Sequence, residues 1–248
     1  MAALLAIALL GGWEAYVRLG GIEELILPAP SAIAAALVED RALLWDNLVV
    51  TSGEVLLGIA AALAVGVALA VAIHASPTLR RAVYPLLIAS QTIPLVIVAP
   101  LVIVWLGFDL APKVAIVALI AFFPVAVSTL DGFARVDSDL LKLMRTLGAT
   151  RWQAFRHVEA PAALPASLSG AKIAVAIAVI GAVLAEQAGS SEGLGHLLLQ
   201  AIPQLETARA YAAVVLLAAL ALLLFGSLSL LERRLLPHPP RQPQGDTS

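Results

Sequence analysis

Six stretches of this chain stay apolar for long enough to cross a bilayer: residues 2–20, 50–75, 84–106, 112–130, 168–188 and 208–231. A hydrocarbon core about 30 Å thick needs roughly 20 residues of helix, each rising about 1.5 Å. No water reaches that core, so each stretch must satisfy its own backbone, and a helix does this within one segment. A transmembrane barrel would instead show alternating units of roughly ten residues, whereas these runs are continuous. Composition points the same way: 61% of residues are hydrophobic and 13% charged, against roughly a quarter charged in a soluble domain. The expected fold is all-α, a polytopic transmembrane bundle of about six spans. The net charge of −2 gives no electrostatic footprint for nucleic acid. The chain has no cysteine, which removes disulfides, thiolate metal sites and thiol nucleophiles together.

The first segment carries Glu14 and Arg18 and has no basic lead, so it reads as a span rather than a cleaved signal peptide. Pro28 and Pro30 break it, and Ser31 is placed to cap a short helix whose Ala32, Ile33, Ala36 and Leu37 share one face. Such a helix is expected to lie at the membrane surface. With the N-terminus inside, eleven of the fifteen basic residues fall on the cytoplasmic side, and this bias supports an N-in, C-in orientation. Residues 1–236 then form the transmembrane domain, and the proline-rich polar residues 237–248 a disordered cytoplasmic tail.

Charge returns in one internal stretch, residues 135–161, RVDSDLLKLMRTLGATRWQAFRHVEAP. Leu140, Leu141, Met144 and Leu147 recur at helical spacing with Lys142 and Arg145 between them, which predicts an amphipathic helix. Gly148 follows where a left-handed turn is needed. Thr150 can cap a second helix from Arg151 to about His157, which Pro161 is expected to stop, with Pro165 leading into the fifth span. The same pattern also describes an ordinary amphipathic loop on the inner leaflet.

Polar groups inside spans are expensive and are functional candidates by default. Gln91 and Thr92 precede Pro94 in a segment that also holds Pro85 and Pro100. Prolines free backbone carbonyls, which is tolerated where a helix lines a cavity, so Gln91 and Thr92 are candidates to line a pathway. Trp105 could stack on a flat ring, or belong to an interfacial aromatic belt. Glu186 ends the fifth span at its outer side, where it could gate the path or meet a partner. Glu54, His74 and Lys172 are expected near span ends, with snorkelling as the plain explanation. GSSEGLG at 189–195 lacks the spacing and the lysine of a phosphate loop. His157, His196 and His238 are too scattered for a metal cluster.

The 135–161 stretch resembles the cytoplasmic EAA loop of bacterial ABC importer permeases. Gly148 takes the motif's glycine, residues 149–157 its nine-residue spacer, Val158 its isoleucine and Pro161 its proline. Lys142, Leu143 and Met144 replace the EAA triplet, and Ala160 replaces a leucine, so Leu147-Gly148-Ala149 carries the match. LPAPSAI, APLVIVWLGF at 99–108, FFPVAVSTLDGF at 122–133 and AEQAGSSEGLG at 185–195 resemble, in order, segments of the nitrate/sulfonate/taurine branch. SQTIP at 90–94 and the region after Gly181 are most similar to permeases for hydroxymethylpyrimidine, a thiamine precursor.

The resemblance implies a type I ABC importer permease in the bacterial inner membrane. It would work with a second copy of itself and a cytoplasmic ABC ATPase dimer, with an extracytoplasmic binding protein delivering the solute. It implies no cofactor in this chain, ATP and Mg being held by the ATPase. It also implies an ATPase-coupling surface made of Arg145, Leu147, Gly148, Ala149, Thr150, Arg151, Trp152, Phe155 and Pro161. Sulfonate, taurine, nitrate or riboflavin are the other solutes of such permeases. Two further classes fit less well. A polytopic membrane enzyme needs clustered carboxylates or histidines near the membrane face, and on the inner side only Asp137 and Asp139 form a close acidic pair, at a helix start that favours negative charge. A secondary transporter needs paired repeats and midplane charges, and neither is found.

Overall fold

The computed structural model describes residues 1–236, so the tail 237–248 lies outside the described residues. Among them there is no strand. The helices are α1 (Ala2–Leu19), α2 (Pro30–Glu39), α3 (Arg41–Ala75), α4 (Pro77–Ser90), α5 (Leu95–Leu106) and α6 (Leu110–Ala134). They continue with α7 (Ser138–Thr146), α8 (Arg151–Ala154), a π turn (Phe155–Glu159), α9 (Ala160–Gly189), α10 (Leu194–Ala201) and α11 (Thr207–Leu235). The protein is an all-α membrane bundle.

Its centre is a bundle of α3, α6 and α9. Lipid tails are as apolar as leucine, so such helices associate through close van der Waals contact, which small residues permit. Ala62 of α3, Ala121 and Ala126 of α6, and Ala174, Ala178 and Ala182 of α9 are all fully buried. Where α9 crosses α6, a Cβ on Gly170 would lie 2.6 Å from the Pro124 carbonyl oxygen. α11 packs on the outside of α9, and α2 packs on α11.

The structure departs from the sequence expectation in four places. Four helical runs are long and apolar enough to cross a membrane, Arg41–Ala75, Leu110–Ala134, Arg151–Gly189 and Thr207–Leu235. The expected third span is instead two helices, α4 and α5, bent by 102°; counted as one, they make a fifth span. The cause is local. Pro94 brings no N–H and stands at the N-cap of α5. The hydroxyls of Ser90 and Thr92 fold back onto the carbonyls of Leu87 and Ala89 at 2.7 and 2.8 Å, ending α4. The expected first span is present as the helix α1 of 18 residues, outside that count.

Pro161 does not stop a helix. The chain passes from α8 through the π turn into α9 without interruption, 39 residues in all. In the π turn, Ala160 N–H reaches back five residues to Phe155 O, so the ladder widens just ahead of the proline and absorbs its missing donor. Ser31 does not cap α2 through its side chain. Its hydroxyl and its backbone N–H both donate to the Glu14 carboxylate, at 2.8 and 3.0 Å, fastening α2 to α1. α2 also buries Ile33 and Ala36 in the core with α11, so its apolar face meets protein rather than lipid.

Candidate functional site

The 135–161 loop is built by its own backbone chemistry. Asp137 accepts the Asp139 N–H at 2.8 Å and opens α7, and Lys142 pairs with Asp139 at 2.7 Å one turn on. Gly148 has φ +76°, the left-handed conformation that glycine adopts at least cost. Ala149 N–H bonds to Met144 O and Gly148 N–H to Arg145 O, each at 3.0 Å, the pair of bonds that closes a Schellman end. Thr150 and Gln153 then form a reciprocal capping box that starts α8. Two short helices therefore meet at a fixed corner.

That corner is exposed. Nothing in α7 is buried. Leu147 is 74% exposed and Trp152 66%, with Leu140 and Leu143 open beside them. Arg145, Thr150 and Arg151 are exposed, and Ala149 and Phe155 half-buried. Trp152 stacks on Phe155 with centroids 5.6 Å apart. Pro161 is exposed at the start of α9. The arrangement is a rigid, protruding, apolar and basic surface, the kind that a groove in another protein can grip.

The other end of the bundle carries a buried polar network that sequence reasoning found only in part. Glu186, on α9, is fully buried and faces α3. Its carboxylate accepts the Thr51 hydroxyl at 2.6 Å and the Gly195 N–H at 2.5 Å. Thr51 Oγ1 accepts the Leu194 N–H at 2.9 Å, and Asn47 Oδ1 the Gly193 N–H at 2.7 Å. Three successive donors at the start of α10 are thus satisfied by side chains of α3 and α9. A Cβ at Gly193, whose φ is +108°, would overlap the Glu186 carboxylate.

Beside this network, Glu54 is 1% exposed and pairs with Lys113 at 2.8 Å, while Lys113 also donates to Ser190 Oγ at 2.6 Å. Among the described residues, Glu54 Oε2 has no hydrogen-bond partner. Glu54 is therefore not a snorkelling residue. His74 and Lys172 are also paired, with Glu159 at 3.0 Å and Glu232 at 2.7 Å. Asn47, Thr51, Lys113 and Ser190 were missed as a group. The available signal was a polar residue in each apolar run on the same predicted side of the membrane.

Gln91, Thr92 and Trp105 lie apart from that network, on α4–α5 and the bend between them. All three are exposed, Trp105 by 75%. Among the described residues Gln91 Nε2 has one hydrogen bond, to Ser90 Oγ at 3.3 Å. Around them Ile93, Val96, Ile97, Leu101 and Val104 are exposed as well. No group of three or more His, Cys, Asp or Glu that could hold a metal occurs among the described residues.

Known proteins share this architecture and sequence. The chain is 35% identical to the formylaminopyrimidine transport permease protein ThiX of Halalkalibacterium halodurans, over 91% of this chain and 90% of that protein. It is 36% identical to the riboflavin transport system permease protein RibX of Chloroflexus aurantiacus, over 90% and 84%. It is 30% identical to the taurine transport system permease protein TauC of Escherichia coli, over 92% and 86%. Among solved structures, the MetNI methionine ABC transporter in inward-facing form superposes with a TM-score of 0.67 at 20% identity, over 79% of this chain and 97% of that chain. Residues 57–237 match the binding-protein-dependent transport system inner membrane component, and the chain belongs to that family.

Proposed function

We propose that this permease moves a pyrimidine precursor of thiamine, of the formylaminopyrimidine or hydroxymethylpyrimidine kind, received from an extracytoplasmic binding protein. The chain is the multi-pass permease subunit of an ABC importer and not itself an enzyme; ATP is hydrolysed on a separate chain. The observation that carries the substrate reading is the 35% identity to a formylaminopyrimidine permease along nearly the whole length of both chains. The chemistry of α4–α5 supports it. An amide at Gln91, a hydroxyl at Thr92 and an exposed ring at Trp105 suit a flat nitrogen heterocycle, and residues 84–106 hold no basic side chain to attract a sulfonate. Riboflavin is the second reading, favoured by the 36% identity to RibX and by the same flat-ring chemistry.

Two copies frame the path. The exposed apolar face of α5 meets its counterpart across the axis, with Gln91, Thr92 and Trp105 bordering the passage. Glu186 acts at the outer end, holding the α9–α10 corner. The coupling corner, from Arg145 through Trp152 to Phe155 and Pro161, seats in the ATPase. Uptake into proteoliposomes tests the reading, using the permease with its ATPase and its cognate binding protein. Labelled pyrimidine, riboflavin and taurine are offered in parallel. ATP-dependent uptake of the pyrimidine alone is expected, and uptake of another solute in its place would reject the substrate.

A further inference from the structure

We propose that His74 and Phe133 are positioning residues for energy coupling, which through Phe155 hold the Trp152 helix at a set angle to α3 and α6. Four rings form a continuous path. His74, in the last turn of α3, stacks on Phe133 of α6 with centroids 4.3 Å apart and planes at 16°. Phe133 meets Phe155 of the π turn at 5.9 Å. Phe155 stacks on Trp152 at 5.6 Å and 24°. The path begins in the membrane bundle, where Phe133 is buried, and ends on the most exposed ring of the coupling corner.

His74 makes a second attachment. Its Nε2 lies 3.0 Å from Glu159 Oε2, at the last residue of the π turn. A proton on Nε2 is donated to that carboxylate, which fixes the ring plane against which Phe133 stacks. One side chain therefore joins the end of α3 to α6 by its face and to the π turn by its edge.

Little else holds the corner. A cavity of about 440 Å³ opens between the end of α3 and the loop, lined among others by Val71, His74, Leu141, Arg145, Thr150 and Phe155. Across it, α8 has room to tilt. Aromatic rings have few rotatable bonds and stack with directional preference, so the ring path is the stiff member in an otherwise open junction. The π turn places an irregular, widened backbone at the same junction, where angular play would otherwise concentrate.

This rests on the reading that the loop engages an ATPase. The test uses the complete complex in proteoliposomes and measures solute moved per ATP hydrolysed, taken only over assembled transporter. Phe133→Leu removes the middle of the path, His74→Gln keeps an amide donor but loses the stack, and His74→Phe keeps the stack. The first two are expected to lower the ratio about tenfold, within the range that coupling-network mutations reach, and His74→Phe to lower it less. Combining Phe133→Leu with Trp152→Leu should add little to Trp152→Leu alone, because both break one path. A wild-type ratio in both Phe133→Leu and His74→Gln, or fully additive losses in the double variant, would overturn the proposal. A wild-type complex that moves no solute on ATP would instead overturn the reading of function beneath it.

Discussion

The Thr51 hydroxyl and the Glu186 carboxylate, 135 residues apart in the chain, meet at 2.6 Å inside the outer end of the bundle. Thr51 is at once a donor to Glu186 and an acceptor for the Leu194 N–H, so one hydroxyl serves two buried groups. Thr51→Val keeps the shape and strands both. It is expected to destabilise the protein by roughly 1–3 kcal/mol, the cost of unsatisfied buried partners. Thermal unfolding in detergent reads this directly, and Thr51→Ser should recover most of the loss.

Lys113 and Glu54 form a second buried contact with a sharper signature. Removing Lys113 alone leaves a buried carboxylate with one oxygen already lacking a hydrogen-bond partner among the described residues. Lys113→Met is expected to cost about 3–5 kcal/mol, and the double variant Lys113→Met/Glu54→Met far less, because the cost lies in the charge left alone. Equal melting temperatures for the single and double variants would show that desolvation does not govern this site.

Gly148→Val tests whether the corner between α7 and α8 couples to the ATPase. A β-branched residue resists φ +76°, at a cost of about 1–2 kcal/mol for the left-handed conformation, and the Schellman end would open. The protein should still reach the membrane, since nothing lies within 4 Å of a Cβ there. Hydrolysis stimulated by the binding protein is expected to vanish; normal stimulation would remove the corner from the coupling path.

Orientation can be read by labelling, because the chain has no native cysteine. Thr150 and Ser191 are both exposed. A cysteine at Thr150 should react only from the cytoplasmic side and one at Ser191 only from the outside, as the basic-residue bias requires. The reverse pattern would invert the topology.

Gln91→Leu addresses the solute path. An exposed amide next to a bend in the α4–α5 pair is expected to lower flux severalfold when replaced, with assembly and basal hydrolysis intact, because weak polar contact helps a solute shed its water. Unchanged uptake would leave Gln91 as a residue of the bend alone.

Much of the fold was legible because membrane spans announce themselves by length and apolarity. The shape of the corner at Gly148 was legible because Leu147-Gly148-Ala149-Thr150 encodes a helix end and a helix start in four residues. Pairing was not. Glu54 and Lys113 lie 59 residues apart, and hydropathy carries no information on which polar residues share a depth and a face. The α4–α5 bend was half legible: three prolines marked the segment as irregular, but the side-chain hydroxyls that end α4 act only together with Pro94. Pro161 misled because a proline normally ends or kinks a helix, and the π turn that accommodates it has no sequence signature of its own.

The unbroken run from Arg151 to Gly189 makes one rod out of what the sequence divides into a loop and a span. At about 1.5 Å per residue such a rod is roughly 58 Å long, so a tilt of about 5° about its middle swings each end by roughly 2.5 Å. One end is the helix that bears Trp152, and the other is anchored by Glu186 against the start of α10. With the ring path through Phe155 keeping the π turn from yielding, the rod works as a lever whose fulcrum is the small-residue packing on α6. A push at the Trp152 tip would then emerge, reversed in direction, at the opposite face of the membrane.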